Sequence, residues 1–249
     1  MTVGIVTNKE KDPALSYTAQ VHNFLVGQGV TVAEDFCTNA DFWIVLGGDG
    51  TMLRCSHLAA IHGIPLLGIN LGTLGLLTDA DKHDGLEVLV KVLAGEYKTE
   101  KRMMLDAASH IALNDVCVGA TGRVKMFSVY VNDHLLDTIR ADGIIVATPT
   151  GSTAYSLSAG GPLLMPEGQM MVVTPLCAHS LSTRPLVIGA EEIVRIVPHQ
   201  VSPIIIDGET IGETRPDEGV VVRKSVYSAA IIKTTHASIY DVLRKKRIL

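Results

Sequence analysis

The stretch LGGDGTMLR, residues 46–54, sets three glycines and one aspartate in four consecutive positions, Gly47 to Gly50, behind the apolar run Phe42 to Leu46. After it, Met52, Cys55, Leu58 and Ala59 recur at helical steps until Gly63 and Pro65 stop the pattern. A strand, a glycine loop and a helix in that order constrain the chain to an α/β arrangement. Glycines there let backbone N–H groups approach an anion, and the helix start adds favourable partial charge. Phosphate is the natural guest. Neither G-x-x-x-x-G-K-[ST] nor G-x-G-x-x-G is present, the latter failing at Leu53. Asp49 would repel a phosphate unless it serves as a metal ligand or general base; its other reading is an aspartate capping the following helix.

The rest of the first hundred residues alternates in the same way, as a parallel sheet with covering helices requires. Val3 to Thr7, Val30 to Val32 and Ile64 to Ile69 read as strands. Asp12 and Pro13 predict a helix start, with Tyr17, Val21, Phe24 and Leu25 at helical spacing up to Gly27. Asp84 and Glu87 predict another before Leu86, Leu89, Val90 and Leu93. Past Lys101 the runs FSVYV, GIIVA, MMVV, IVRIV, PIII and GVVVR are short and β-branched, with a hairpin turn at Asn132-Asp133. STAYSLSAGG, residues 152–161, reads as helical, as does the tail SIYDVLRKK. The division expected is an α/β domain over 1–101, a β-rich domain over 102–235 and a last helix, 236–249, packing back on the first domain.

A formal net charge of −5 gives no basic field of the kind that holds nucleic acid. The four cysteines are far apart with no C-x-x-C, so buried reduced thiols are expected rather than a zinc or redox pair. No leader pattern opens the chain and no apolar window is long enough to span a bilayer, so a soluble cytoplasmic protein without membrane contact is expected. His57 and His62 share no helix face well and His179 reads as structural; the basic run Arg244 to Arg247 suits a helix end.

A second constellation, RADGIIVATPTGSTAYSLSAGGP at 140–162, joins a strand to a Thr/Pro/Gly turn and a hydroxyl-rich helix start with Tyr155. Such a start can bond ribose, base edge or phosphate, and an aromatic can lie along a base. Read without a ligand, it is a capped helix with Asp142-Gly143 a turn. Ser152 and Ser158 lack the G-x-S-x-G frame of a serine hydrolase.

With GGDGT at 47–51, Asn114-Asp115 after a strand, TPTGSTAYSLSAGGP at 148–162, TPLCAHSLSTRPLVI at 174–188 and IDGE at 206–209, the chain resembles the NAD kinase family. The resemblance implies a Rossmann-like α/β N-terminal domain followed by an all-β sandwich-like C-terminal domain, with a site in the crevice between them. It implies phosphorylation of the adenosine 2′-hydroxyl of NAD to NADP, with ATP or inorganic polyphosphate as donor and a divalent ion, Mg²⁺. By similarity, Asp49 accepts the hydroxyl proton with Gly50 beside it, and Asn114 and Asp115 bind the adenosine part, although glutamate is more usual at the second place. Asp142 and the run Thr153, Ala154, Tyr155, Ser156, Leu157 and Ser158 resemble the nucleotide-binding wall. Arg54, Lys125 and Arg140 match basic positions near the dinucleotide, where cations offset phosphate charge. No residue is assigned to the metal, and Glu209, where glutamine is common, receives no role. A homodimer or homotetramer is implied. Two alternatives stand beside this reading: a lipid kinase with a similar GGDGT loop, and a non-catalytic NAD or NADP sensor.

Overall fold

The computed structural model describes residues 1–34, 36–72, 75–180, 182–234 and 239–245. They fall into two compact units, one of residues 1–101 with 229–249 and the other of residues 102–228.

The first unit runs β1 (Thr2–Thr7), α1 (Ser16–Gly27), β2 (Thr31–Glu34), β3 (Phe42–Gly47), α2 (Asp49–His62), β4 (Leu66–Asn70), β5 (Ala80–Asp81) and α3 (Gly85–Leu93). Its strands pair in parallel in the order β2-β1-β3-β4, with β5 alongside the end of β4. Phe42, Ile44 and Leu46 of β3 pack with Val21 and Leu25 of α1 and Val88, Leu89 and Val92 of α3. On the opposite face α2 lies close to the sheet: a methyl group on Gly68 would sit 2.8 Å from the Met52 sulfur. Helices on both faces explain why β3 and β4 are buried throughout and read as unbroken apolar runs. The order reverses between β1 and β3, which makes the carboxyl ends of those two strands the topological switch point.

Helix α1 begins at Ser16, not at Asp12-Pro13 as its sequence predicts, because Asn8 first closes a turn by accepting the Lys11 and Asp12 N–H groups. Asp12 still serves the helix: its carboxylate accepts the Thr18 N–H at 2.9 Å and the Thr18 hydroxyl at 2.7 Å. Helix α2 ends at Gly63, whose φ of 67° is the left-handed cap that glycine allows.

The second unit holds most of β6 (Lys98–Ala107), then β7 (His110–Ala112), β8 (Asp115–Gly119), β9 (Lys125–Val131), β10 (His134–Ala141), β11 (Gly143–Ala147), α4 (Tyr155–Ser158), β12 (Met170–Leu176), β13 (Leu186–Gly189), β14 (Val194–Pro198), β15 (Ser202–Ile206) and β16 (Glu209–Thr214). One antiparallel sheet has the order β13-β12-β11-β8-β15-β16. The facing layer is β10-β9-β14 with the start of β17 (Val220–Lys233). Val116, Val118, Ile144, Val146 and Val173 of the first layer form one core with Phe127, Val129, Ile139, Val194, Ile196 and Val222 of the second. The fold is therefore an α/β unit built on parallel strand pairs plus a separate antiparallel β unit, the first strand path becoming mixed where β17 runs on into antiparallel pairing with β14. The β9–β10 hairpin turns at Asn132 and Asp133, both at positive φ, as the Asn-Asp pair predicts.

STAYSLSAGG forms less helix than expected: a 3-10 turn at Gly151–Thr153 and the single turn α4. Its hydroxyls are spent elsewhere. Ser152 Oγ donates to the Pro149 carbonyl and accepts the Leu164 N–H, and Ser156 Oγ pairs with Thr174 Oγ1. Strand β17 pairs with β14 at its start, while Ile231 near its end pairs in parallel with Leu66 of β4. Helix α5 covers Ile239–Lys245; the rest of the predicted 236–249 helix, including the end of the basic run, lies outside the described residues. Among the described residues no helix is long and apolar enough to cross a membrane.

Candidate active site

In the first unit the glycine loop lies at the end of β3 and opens α2, with Gly48 as the helix cap residue and no side chain capping it. Asp49 does not cap its own helix. Its carboxylate reaches the loop after β4 and accepts the Leu76 N–H at 2.9 Å and the Leu77 N–H at 3.0 Å. Gly75 makes this possible, because a methyl group there would overlap the Asp49 carboxylate at 1.9 Å. Gly50 and Arg54 on the same helix are exposed. Asn70, at the end of β4, accepts the Gly72 N–H and lies beside Gly48.

In the second unit one carboxylate organises the turn before β8. Asp207 accepts N–H groups from Leu113 at 2.8 Å, Asn114 at 2.7 Å and Asp115 at 3.0 Å. The TPTGS turn packs on the other side: Thr148 donates its N–H to the Asn114 carbonyl and its hydroxyl to the Leu113 carbonyl. Gly151 meets Asn114 so closely that a methyl group would sit 2.0 Å from its carbonyl oxygen. Asn114 and Asp115 are thus brought against the start of Thr153 to Ser158.

Asp115 is 4% exposed, and burial first, then the Asp207 charge, pushes its carboxyl up to about 7. Among the described residues no hydrogen-bond donor reaches it. Tyr155 is 40% exposed. Its phenol is raised by burial and then by the charges of Cys117, Cys177, Asp115 and Asp142. Thr153 and Ala154 are half-buried, Ser156 is buried, Leu157 is half-buried and Ser158 is exposed. Thr153 Oγ1 bonds the Thr150 carbonyl, and Asp142 is held through its backbone to Ala120 and Leu176.

The basic positions separate. Lys125 spends its ammonium on the Val201 carbonyl at 2.6 Å and on Ser202 Oγ at 3.3 Å, closing its own unit. Arg140 is exposed on β10, and its carbonyl accepts the His179 N–H. The residues missed by sequence reasoning are Asp207 as the clamp, Asn70 and Lys11 beside Gly48, and Thr150, whose hydroxyl is buried without a partner among the described residues. A signal for Lys11 existed: it follows β1 as the glycines follow β3, and adjacent parallel strands end at one place.

Residues 32–97 match the family described as the ATP-NAD kinase N-terminal domain, and residues 113–234 the ATP-NAD kinase C-terminal domain. The chain is 37% identical to an NAD kinase of Caldanaerobacter subterraneus subsp. tengcongensis over 98% of both chains. It is 38% identical to an NAD kinase of Heliobacterium modesticaldum, again over 98% of both. Among solved structures it is similar to an NAD kinase from Archaeoglobus fulgidus in complex with ATP, with a TM-score of 0.85 and 25% identity over 99% of this chain and 98% of that one. A yeast NADH kinase complexed with NADH shares the fold with a TM-score of 0.79 at 23% identity, over 100% of this chain and 87% of that one. With two family domains in order and relatives matched over nearly their whole length, the chain belongs to the NAD kinase family, phosphotransferases that make NADP from NAD.

Proposed function

We propose that the acceptor is the 2′-hydroxyl of the adenosine ribose of NAD and that Asp49 takes its proton as the oxygen attacks the terminal phosphorus of ATP. The new P–O bond forms as the bond to ADP breaks, and the proton passes to the Asp49 carboxylate. What supports this reading is the orientation of that carboxylate: two amides, from Leu76 and Leu77, hold it at the start of α2 beside bare backbone. An alcohol is a poor nucleophile, so a positioned base helps, while alignment and charge neutralisation supply most of the rate.

Asn114 and Asp115 would hold the adenosine part, with Asp142 and Thr153, Ala154, Tyr155, Ser156, Leu157 and Ser158 as the wall and Arg54, Lys125 and Arg140 as neighbouring cations. Lys125 would have to leave Val201 to do so. Among the described residues no three His, Cys, Asp or Glu side chains converge, a donor set that fits Mg²⁺ carried in by phosphates rather than held in a protein cage. Asn70, whose amide oxygen lies near Gly48, is a side chain that would help complete its shell, leaving Asp49 as the base. When bound, the ion neutralises phosphate charge. Inorganic polyphosphate presents the same terminal group and is the second donor to test. We assign a homodimer or homotetramer, which the exposed Leu186 and Val187 on edge strand β13 favour, and the cytoplasm, whose reducing conditions suit four free cysteines.

The test is to supply NAD, Mg²⁺ and either ATP or polyphosphate and to read NADP with an NADP-specific dehydrogenase. Asp49→Asn should lower kcat about a hundredfold or more with the fold intact by circular dichroism. Full turnover in that variant would remove Asp49 as the base, and NAD binding without NADP from either donor would turn the reading toward a sensor.

A further inference from the structure

The geometry points to Lys11 as a residue that binds the phosphates of the donor, a role that rests on the kinase reading above. Lys11 lies in the loop after β1, and the glycines lie in the loop after β3, so both sit at the switch point where ligands of open α/β sheets bind. Its Nζ is 3.0 Å from where a methyl group on Gly48 would be and 3.9 Å from one on Gly72. The Asn70 amide oxygen is 3.7 Å from both positions. An ammonium, a side-chain amide and the side-chain-free backbone of two loops therefore bound one small space at the start of α2.

The loop that carries Lys11 is pinned. Asn8 donates its N–H to the Leu46 carbonyl at 2.8 Å and its side-chain amide to Thr51 Oγ1 at 3.2 Å, tying the end of β1 to the end of β3 and the first turn of α2. The Asn8 carbonyl then accepts the Lys11 N–H at 3.0 Å, and Asp12 is anchored to α1. Among the described residues no carboxylate pairs with Lys11. In a protein of net charge −5, an unneutralised cation over glycine backbone and a helix start is matched by a polyanion. Asp49 turns its carboxylate to Leu76 and Leu77, and the two charges have separate tasks: one serves the hydroxyl, the other the phosphates.

Lys11→Met and Lys11→Arg test the role in two ways. In steady-state assays at saturating NAD, Lys11→Met should raise the donor KM about ten- to a hundredfold, the effect of one charge-assisted bond, with the KM for NAD within about twofold. Lys11→Arg should recover part of the loss. In calorimetry without NAD, inorganic tripolyphosphate should bind Lys11→Met about tenfold or more weakly than wild type. Unchanged donor KM and unchanged tripolyphosphate affinity in Lys11→Met would overturn the assignment. If wild type forms no NADP from any donor, the kinase reading fails by itself, and the calorimetric comparison still decides whether Lys11 binds phosphate.

Discussion

Burying a carboxyl group beside a second carboxylate raises the cost of its charge, and Asp115 meets both conditions. Its carboxyl titrates near 7 in the folded chain, against 3.8 for an unperturbed aspartate, so between those values the folded state binds more protons than the unfolded one. Stability from this group is complete below about pH 4 and lost as pH rises through 7, on the order of a few kcal/mol. Urea denaturation at stepped pH should show wild type weakening from pH 5 to pH 8, and Asp115→Asn should flatten that slope. The ionised form is also the one that accepts from a ribose hydroxyl. The KM for NAD should therefore fall as pH rises through 7 in wild type and lose that dependence in Asp115→Asn; a pH-independent wild-type KM would separate Asp115 from NAD.

Loops and turns fix these side chains through partners far along the chain. The Asp49 carboxylate depends on the loop after β4, where Gly75 leaves it room. Gly75→Ala should displace the carboxylate and cost turnover as heavily as Asp49→Asn, with NAD affinity unchanged by titration. In the second unit Asp207 opens the β15–β16 turn at a φ of 50°, followed by Gly208 at 86°, and its carboxylate holds three amides of the 113–115 turn. Asp207→Asn keeps the shape but replaces one acceptor oxygen with a donor. Thermal and urea unfolding should register a loss of about 1–3 kcal/mol, and the KM for NAD should rise because Asn114 is no longer set. Such anchors are invisible to periodicity: Asp49 reaches 28 residues along the chain to Leu77, and Asp207 reaches 92 residues to Asp115. The sequence marked IDGE as a landmark and could not say which backbone it holds. It likewise placed a helix start at Asp12-Pro13, where the Asn8 turn takes precedence, and read STAYSLSAGG as helix although Ser152 and Ser156 bond other segments.

At the scale of the molecule, β17 contributes to both units, and its last residues are tied down in the first. Lys233 Nζ donates to the Thr78 carbonyl at 2.7 Å, and Thr234 gives both its N–H and its hydroxyl to the Asp79 carboxylate. Asp79 is 5% exposed, so a lost donor there is not replaced by water. Thr234→Val should destabilise the first unit by about 1–3 kcal/mol, read as earlier proteolytic cleavage within residues 1–101 than within 102–228. Cleavage of both units at one rate would mean that they unfold together. The sequence by itself determined the alternation of strands and helices, the β-rich second half, the Asn132-Asp133 hairpin and the glycine loop between β3 and α2, because each is written in neighbours a few residues apart. Only the tertiary structure decided that Asp49 is held by Leu76 and Leu77, that Asp115 is buried beside Asp207, that Lys125 closes on Val201 and that Lys11 stands over Gly48. Those pairings depend on which strands lie side by side and where their loops converge, and strand order is a property of the folded sheet rather than of any local stretch.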